Sequence, residues 1–190
     1  VGTYALSESG PAGYAASAWS CTAGTLVGSN LTLALAQTAT CTINNNDISP
    51  VLTLVKTVTN DNGGTSVVAA WTLTATGPTT ISGASGTAAV TNANVNVGTY
   101  ALSESGPAGY AASAWSCTAG TLVGSNLSLA LGQTATCTIN NNDISPVLTL
   151  VKTVTNDNGG TSVVAAWTLT ATGPVTISGA SGAAAVTNAN

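Results

Sequence analysis

The feature that most constrains this 190-residue chain is an internal repeat with a period of 96 residues. Residues 1–94 match residues 97–190 at 90 of 94 positions. The four differences are chemically mild: Thr32/Ser128, Ala36/Gly132, Thr79/Val175 and Thr87/Ala183. A period of this length is too long for one rung of a solenoid and fits a small independent domain. The repeat therefore predicts domains joined in tandem rather than one continuous core.

Each repeat is rich in strand signals. Residues 51–57, 67–76, 98–102 and 135–139 form β-branched runs that alternate with a period of two and end at Asn-Gly, Gly-Pro or Ser-Gly pairs. Nothing of helical length repeats its apolar residues at helical spacing. About seven short strands per repeat, separated by turns, predict an all-β fold of tandem antiparallel β-sandwich domains of the prealbumin or immunoglobulin type.

The domain boundaries depend on the phase of the repeat. The segment 46–50, repeated as 142–146, is polar and ends in proline, which is typical of inter-domain linkers. This phase predicts three segments: the C-terminal half of a repeat domain at 1–49, a complete domain at 50–145, and the N-terminal half of the next domain at 146–190. The chain would then be a window on a longer array. The alternative phase divides the chain after residue 96.

Charge is scarce, and this excludes several classes of function. Only eight residues are charged, two Lys and six Asp or Glu, and His is absent. A pI near 4.1 leaves no basic surface for nucleic acid. Without His, Ser-His-Asp and Cys-His catalysis and the usual zinc sites are excluded, and no apolar run approaches the roughly 18 residues of a membrane span. We expect no enzymatic turnover, cofactor, metal or nucleic-acid partner.

The one basic residue of each repeat is predicted to point inward. Strand alternation places Lys56 on the same face as the two leucines that precede it at alternate positions. The same argument aligns Glu104 with a tyrosine and a leucine, and Asn141 with a cysteine and an isoleucine. We therefore expect Lys56, Glu104 and Asn141 to converge on one core.

The glutamate also lies in a recognisable motif. Residues 98–110, Gly-Thr-Tyr-Ala-Leu-Ser-Glu-Ser-Gly-Pro-Ala-Gly-Tyr, resemble the G-x-Y-x-L-x-E-x-x-x-P-x-G-Y box of Cna-B-type, prealbumin-like domains of bacterial surface proteins and pilins, with the proline one position early. Residues 52–56 resemble that family's first strand, and residues 138–141 resemble its last strand. The resemblance covers the whole of 50–145.

In that family an early-strand Lys, the Glu of this box and a last-strand Asn form an internal isopeptide bond. The resemblance implies a bond between Lys56 and Asn141, with Glu104 as the proton shuttle. Three consecutive asparagines leave Asn140 and Asn142 as alternatives, and strand alternation favours Asn141.

The implied chemistry depends on burial. An amine kept from water gives up its proton more readily and then attacks an amide carbonyl, while a buried carboxylic acid polarises the carbonyl and passes a proton to the departing ammonia. Fixed proximity supplies an effective molarity of roughly 10⁵ M or more. The alternatives are a buried Lys–Glu ion pair and a surface lysine. If the end segments are half-domains, Lys152 needs Glu8 and Asn45 from the next copy.

The four cysteines form one pair per repeat with a spacing of 20 residues. The simplest connectivity joins Cys21 to Cys41 and Cys117 to Cys137. Each disulfide would contribute roughly 3 kcal/mol in the chain-entropy model. The spacing matches no redox or zinc motif, so the cysteines predict structural disulfides and export to an oxidising environment.

The loop at residues 60–64, Asn-Asp-Asn-Gly-Gly, has a single carboxylate and is predicted to be a hairpin turn on Asn-Gly rather than a calcium site. The tryptophans are predicted to be core residues rather than a ligand platform.

Together these features predict a structural protein: an extracellular fibre or stalk on a bacterial cell surface, or a secreted filament. Its expected partners are head-to-tail copies of itself or the continuation of the same chain. The alternative is a cell-surface adhesin whose repeats bind a glycan or protein ligand. The mild differences between the repeats favour the structural interpretation, because a receptor is expected to vary its binding loops.

Overall fold

The structure, a computed structural model, describes all residues 1–190 as strands, short 3-10 helices and loops. The residues form two compact units, one of Val1–Asn60 and Thr65–Asn142, the other of Asp61–Gly64 and Asp143–Asn190. This division follows neither phase of the repeat, so the domain boundaries stay a prediction.

The strands of the first unit are β1 Gly2–Ala5, β2 Tyr14–Ala16, β3 Ser20–Cys21, β4 Thr25–Val27, β5 Asn30–Leu33, β6 Cys41–Thr42, β7 Asn45–Asp47, β8 Val51–Thr59, β9 Thr72–Thr76, β10 Ile81–Gly83, β11 Ala93–Asn94, β12 Gly98–Ser105, β13 Tyr110–Ala112, β14 Ser116–Cys117, β15 Thr121–Val123, β16 Asn126–Leu129 and β17 Thr134–Asp143.

Two five-stranded sheets enclose the main core. One sheet has the order β10-β9-β12-β16-β15, and the other has the order β11-β8-β17-β13 with β14 also paired to β17. Most neighbouring strands are antiparallel, but β17 runs parallel to β8. The all-β, mainly antiparallel prediction is therefore confirmed, with one parallel pair that it did not foresee.

Strand alternation explains which side chains enter this core. Along residues 51–56 of β8 and along β17 every second residue is buried, because successive side chains point to opposite faces of a sheet. The core cluster contains aliphatic residues from both sheets together with one tyrosine and one cysteine: Leu52, Leu54, Leu73, Ala75, Ile81, Val90, Val95, Tyr100, Leu102, Leu127, Leu129, Ala135, Cys137 and Ile139.

Residues 1–49 form smaller sheets. Strands β1, β5 and β4 make a three-stranded sheet, and β2–β7 and β3–β6 make two-stranded sheets. These pairings repeat those of the equivalent strands in the large sheets, for example Tyr4 with Leu31 and Tyr100 with Leu127. Tyr4 is nevertheless 51% exposed, whereas Tyr100 is fully buried. The local strand pairings of residues 1–49 are complete, but their apolar face is uncovered.

Two local predictions are wrong. The run 67–76 is not one strand, because residues Val68–Ala70 form a 3-10 helix and β9 begins only at Thr72. This turn brings Trp71 into the core, where it is 2% exposed. The loop 60–64 is not a hairpin turn either, since β8 pairs with β11 and β17 rather than with β9. Ten strands, rather than about seven, lie between residues 51 and 143, and five of them are only two or three residues long.

The second unit is smaller. Strands β18 Thr168–Ala171 and β19 Ile177–Ala180 form an antiparallel pair, flanked by 3-10 helices at Val164–Ala166 and Ala184–Val186. Leu148 forms an isolated bridge with Ala189. None of the helices in the structure is long and apolar enough to cross a membrane.

Candidate functional site

Lys56 lies in the core of the first unit, on the buried face of β8. It is 3% exposed, and its Nζ is 2.8 Å from Oε2 of Glu104. Glu104 reaches it from β12 in the opposite sheet, on the face that also carries Tyr100 and Leu102. The two atoms are at ion-pair distance, and neither atom has another polar partner.

Asn141 is the asparagine that strand alternation turns into the same core. It is 4% exposed, and its Oδ1 accepts no hydrogen bond. The parallel register of β17 with β8 places Ile139 opposite Lys56 and Asn141 opposite Val58, so Asn141 is two residues further along the neighbouring strand. Asn140, on the other face, accepts a hydrogen bond from the Thr57 hydroxyl. The structure thus places Lys56, Glu104 and Asn141 on the inner faces of the two sheets.

An aromatic wall closes this cluster. The Lys56 Nζ lies 5.0 Å from the ring centroid of Trp71, and the ring of Tyr110 meets that of Trp71 edge-on at 5.1 Å. The Tyr110 hydroxyl donates to Oδ1 of Asn60 and accepts from the backbone N–H of Ser66. The wall keeps water from the lysine, which strengthens electrostatic interactions there. The sequence predicted a core role for tryptophan but not this contact with Lys56.

The Trp71 ring also needs a glycine beneath it. A Cβ at Gly106 would overlap the ring atom Cδ1 of Trp71, far inside van der Waals contact. Gly106 lies within the sequence box that contains Glu104, so the small residue of this box has a packing role beside the lysine site.

The buried groups form a set with defined chemical capacities. The lysine amine is a nucleophile, the glutamate carboxyl group accepts and donates protons, and the asparagine amide is an electrophile. An amide oxygen left without a partner in a protein interior costs about 1–3 kcal/mol, so its presence requires an explanation.

The equivalent residues outside this cluster form two partial sites. In residues 1–49, Nδ2 of Asn45 donates a hydrogen bond of 3.0 Å to Oε2 of Glu8, and both residues are exposed. In the second unit, the Lys152 Nζ lies 5.0 Å from the ring centroid of Trp167. The first partial site thus pairs the carboxyl group with the amide, and the second pairs the amine with the indole.

The predicted disulfides are both present. Cys21 is bonded to Cys41 and Cys117 to Cys137, and no cysteine is free. Each bond joins directly opposite residues of an antiparallel pair, β3 with β6 and β14 with β17. The spacing in the sequence was sufficient to identify the pairs because both partners lie within one half of the repeat.

Asp143 is a structural residue that the sequence did not reveal. Its carboxylate accepts hydrogen bonds from the backbone N–H groups of Asp61, Asn62 and Gly64, at 2.9, 2.8 and 2.6 Å. Desolvation works against its charged form, but these donors outweigh it and lower the pKa of Asp143 to about 2. The loop 60–64 therefore wraps around a carboxylate of its own chain. No group of three or more His, Cys, Asp or Glu side chains is arranged to hold a metal ion.

The comparisons with known proteins agree with this architecture. The model of a SpaA-type family, described as a prealbumin-like fold domain, matches residues 1–43, 47–139 and 143–190. No curated protein and no solved structure is significantly similar to the chain.

Proposed function

Since this chain belongs to the SpaA-type family of prealbumin-like fold domains, we propose that it is a structural part of an extracellular fibre or stalk on a bacterial surface. Its repeats are tandem β-domains in the phase 1–49, 50–145 and 146–190, each complete one strengthened by an internal Lys–Asn isopeptide bond. The breaks in the family match, near residues 45 and 141, support this phase. The disulfides support an oxidising, extracellular location.

The observation that carries the proposal is the buried cluster of Lys56, Glu104 and Asn141. Burying an ion pair in place of apolar side chains is usually neutral or costly, and this cluster also leaves the Asn141 Oδ1 without a partner. A covalent bond between Lys56 and Asn141 removes the buried charge and explains why the three residue types lie together. The scarcity of surface charge fits lateral association in a fibre, since it provides little electrostatic repulsion.

The reaction balances within the three side chains. The Glu104 carboxylate takes a proton from the Lys56 ammonium, and the neutral Nζ attacks Cγ of Asn141. The bond from Nζ to Cγ forms, and Glu104 passes its proton to Nδ2 as the bond from Cγ to Nδ2 breaks. Glu104 then takes the second proton from Nζ and ends as a neutral carboxylic acid. The products are a secondary amide and one ammonia molecule, formed once per domain without turnover. In this reaction Trp71 and Tyr110 exclude water, which would otherwise compete as the nucleophile.

The test is the intact mass of the reduced, denatured monomer. We expect the wild-type chain to be lighter than its sequence mass by one ammonia, and Lys56→Arg to have its full sequence mass. Lys152→Arg is the matched control, because it makes the same substitution in the other repeat and should keep the ammonia loss. A wild-type monomer at full sequence mass would refute the isopeptide bond.

A further inference from the structure

Loop 60–64 contains a reactive pair, Asn62 followed by Gly63. The backbone nitrogen of a residue that follows asparagine attacks the side-chain amide most readily when that residue is glycine, because glycine has no Cβ to obstruct the approach. The two groups are neighbours in the chain and close a five-membered ring, so proximity favours the reaction. In residues 50–145 no other asparagine precedes a glycine. Asn62 is exposed, so water and hydroxide reach the pair.

The attacking nitrogen of this pair has no partner. The three other backbone N–H groups of residues 61–64 donate to the Asp143 carboxylate. The N–H of Gly63, which lies between them, donates to no group of the protein. No atom lies within 4 Å of a Cβ built at Gly63, so the space beside this residue is open. Control of the reaction therefore lies with the Asn62 side chain and with the charge around it.

The Asn62 amide is held at both ends by hydrogen bonds. Its Nδ2 donates to Oδ1 of Asp61 at 2.6 Å and to the backbone oxygen of Asp143 at 3.0 Å. Its Oδ1 accepts a hydrogen bond from the Ser145 hydroxyl. Ring closure makes Cγ tetrahedral and expels Nδ2 as ammonia, so the amide must leave these partners before it reacts. The contacts therefore raise the barrier to ring closure.

The charge of the loop acts in the same direction. The attack requires that the Gly63 nitrogen lose its proton, which places negative charge on the backbone. Two carboxylates are already there, since Oδ1 of Asp61 and Oδ1 of Asp143 lie 2.6 and 3.3 Å from the Asn62 Nδ2. A like charge nearby disfavours ionisation. The closed loop thus opposes both the loss of the proton and the movement of the amide.

We propose that Asn62 is a latent deamidation site, which the contact with Asp143 keeps unreacted while loop 60–64 is closed and which reacts when that contact is lost. In the open loop a hydroxide ion takes the proton of the Gly63 nitrogen. The bond from this nitrogen to Cγ of Asn62 forms, and the bond from Cγ to Nδ2 breaks. The leaving nitrogen takes a proton from water, which regenerates the hydroxide, and departs as ammonia.

Hydrolysis completes the modification. One water molecule opens the succinimide ring at either of its two carbonyl carbons, which gives aspartate or isoaspartate at position 62, and the new carboxyl group loses its proton to the solvent. The chain has then exchanged one ammonia for one water and has gained one negative charge. The reaction uses solvent alone and leaves Lys56, Glu104 and Asn141 unchanged, so the inference is independent of the proposed function.

The product prevents the loop from closing again. Deamidation replaces the donor Nδ2 by an oxygen, so the hydrogen bonds to Asp61 and Asp143 are lost. A third carboxylate then lies beside these two, and like charges at such short distances repel one another. In the isoaspartate product the main chain is also longer by one carbon, which displaces the N–H groups that hold Asp143. The modification is therefore a one-way release of the loop.

The test follows the reaction by anion exchange, because the product adds one negative charge to a chain whose formal charge is −4. Every chain carries Asn158→Ser, which leaves Asn62 as the one asparagine followed by glycine. The proposed isopeptide bond does not interfere, since Lys56 and Glu104 lose their opposite charges together. An isoaspartate methyltransferase assay identifies the shifted species chemically.

Asp143→Ala removes the acceptor of the three backbone donors and should raise the rate of deamidation at neutral pH by about tenfold or more, the equivalent of one or two ordinary hydrogen bonds. Asp47→Ala is the matched control, because Asp47 has the equivalent place in the other repeat but is exposed, and the rate should not change. The parent chain unfolded in denaturant should react at least about tenfold faster than the folded parent. Adding Asn62→Ser to the Asp143→Ala chain should abolish the shifted peak.

A milder variant keeps the test decisive if Asp143→Ala unfolds the repeat, which the fluorescence of the buried Trp71 would reveal. Ser145→Ala removes only the hydrogen bond to the Asn62 Oδ1 and should raise the rate by about threefold. The proposal is overturned if the folded parent reacts as fast as the denatured chain, or if the folded loop variants react no faster than the parent.

Asn62→Asp, which is one of the two products, tests the one-way step. The backbone N–H of Gly64 donates to Asp143 at 2.6 Å in the closed loop. In Asn62→Asp its hydrogen exchange should be about tenfold faster or more, because the loop no longer closes. An exchange rate equal to that of the wild type would show that the loop closes on the product and would contradict the one-way release.

Discussion

Replacing Glu104 by glutamine tests the role of the carboxyl group with the smallest change in shape. The side chain keeps its volume and its position opposite Lys56, but it can no longer take the proton from the amine. We expect Glu104→Gln to fold with Lys56 and Asn141 unlinked, so that its monomer keeps the ammonia that the wild type loses. Folding should survive because the apolar core and the Cys117–Cys137 disulfide are unchanged.

The expected loss of stability follows from the length of chain that the bond closes. Lys56 and Asn141 are about 85 residues apart, and the disulfide inside this loop shortens it by roughly 20 residues. In the chain-entropy model a loop of this size contributes about 4 to 5 kcal/mol to the free energy of unfolding. For a domain of this size that corresponds to a decrease in Tm of roughly 20 to 30 °C.

The assay is thermal unfolding followed by tryptophan fluorescence, with intact mass measured on the same sample. Trp71 is 2% exposed and reports on the site directly, and Trp19→Phe with Trp167→Phe removes the signal of the end segments. Glu8→Gln is the matched control and should leave the central transition unchanged. A Glu104→Gln chain that still loses ammonia, or an unlinked chain with the wild-type Tm, would refute the reasoning.

Two further predictions concern the turns. Because the folded-state pKa of Asp143 is about 2 and the ordinary value is 3.8, its contribution to stability is present above the ordinary value and is lost as the pH falls toward 2. Asp143→Asn should flatten the dependence of the denaturation midpoint on pH between about 4 and 2, whereas Asp47→Asn, at an exposed position, should not. Gly132 has φ +69° and only ordinary contacts for a Cβ, so Gly132→Ala should cost about 1 kcal/mol, through backbone conformation alone. Ala36 has φ 62° at the equivalent position of the other repeat, so Ala36→Gly should be neutral or stabilising. If chemical denaturation shows no loss of unfolding free energy for Gly132→Ala, this account is wrong.

The sequence alone determined the features that depend on local spacing. A period of two along a strand was sufficient to turn Lys56, Glu104 and Asn141 inward, because side-chain direction in a strand follows from backbone geometry. The 20-residue spacing identified the disulfides, because both cysteines of a pair lie on adjacent local strands. The all-β class followed in the same way from composition and turn residues.

Only the tertiary structure decided the features that depend on residues distant in the chain. The parallel pairing of β8 with β17 joins segments about 80 residues apart, and no local pattern encodes the direction of such a pair. The Trp71 wall over Lys56 requires a 3-10 turn where the strand pattern predicted continuation. The wrapping of loop 60–64 around Asp143 links backbone donors to a carboxylate at the far end of the repeat. The contacts between residues distant in the chain therefore depend on long-range packing, whereas the local sequence was sufficient to predict the direction in which each side chain points.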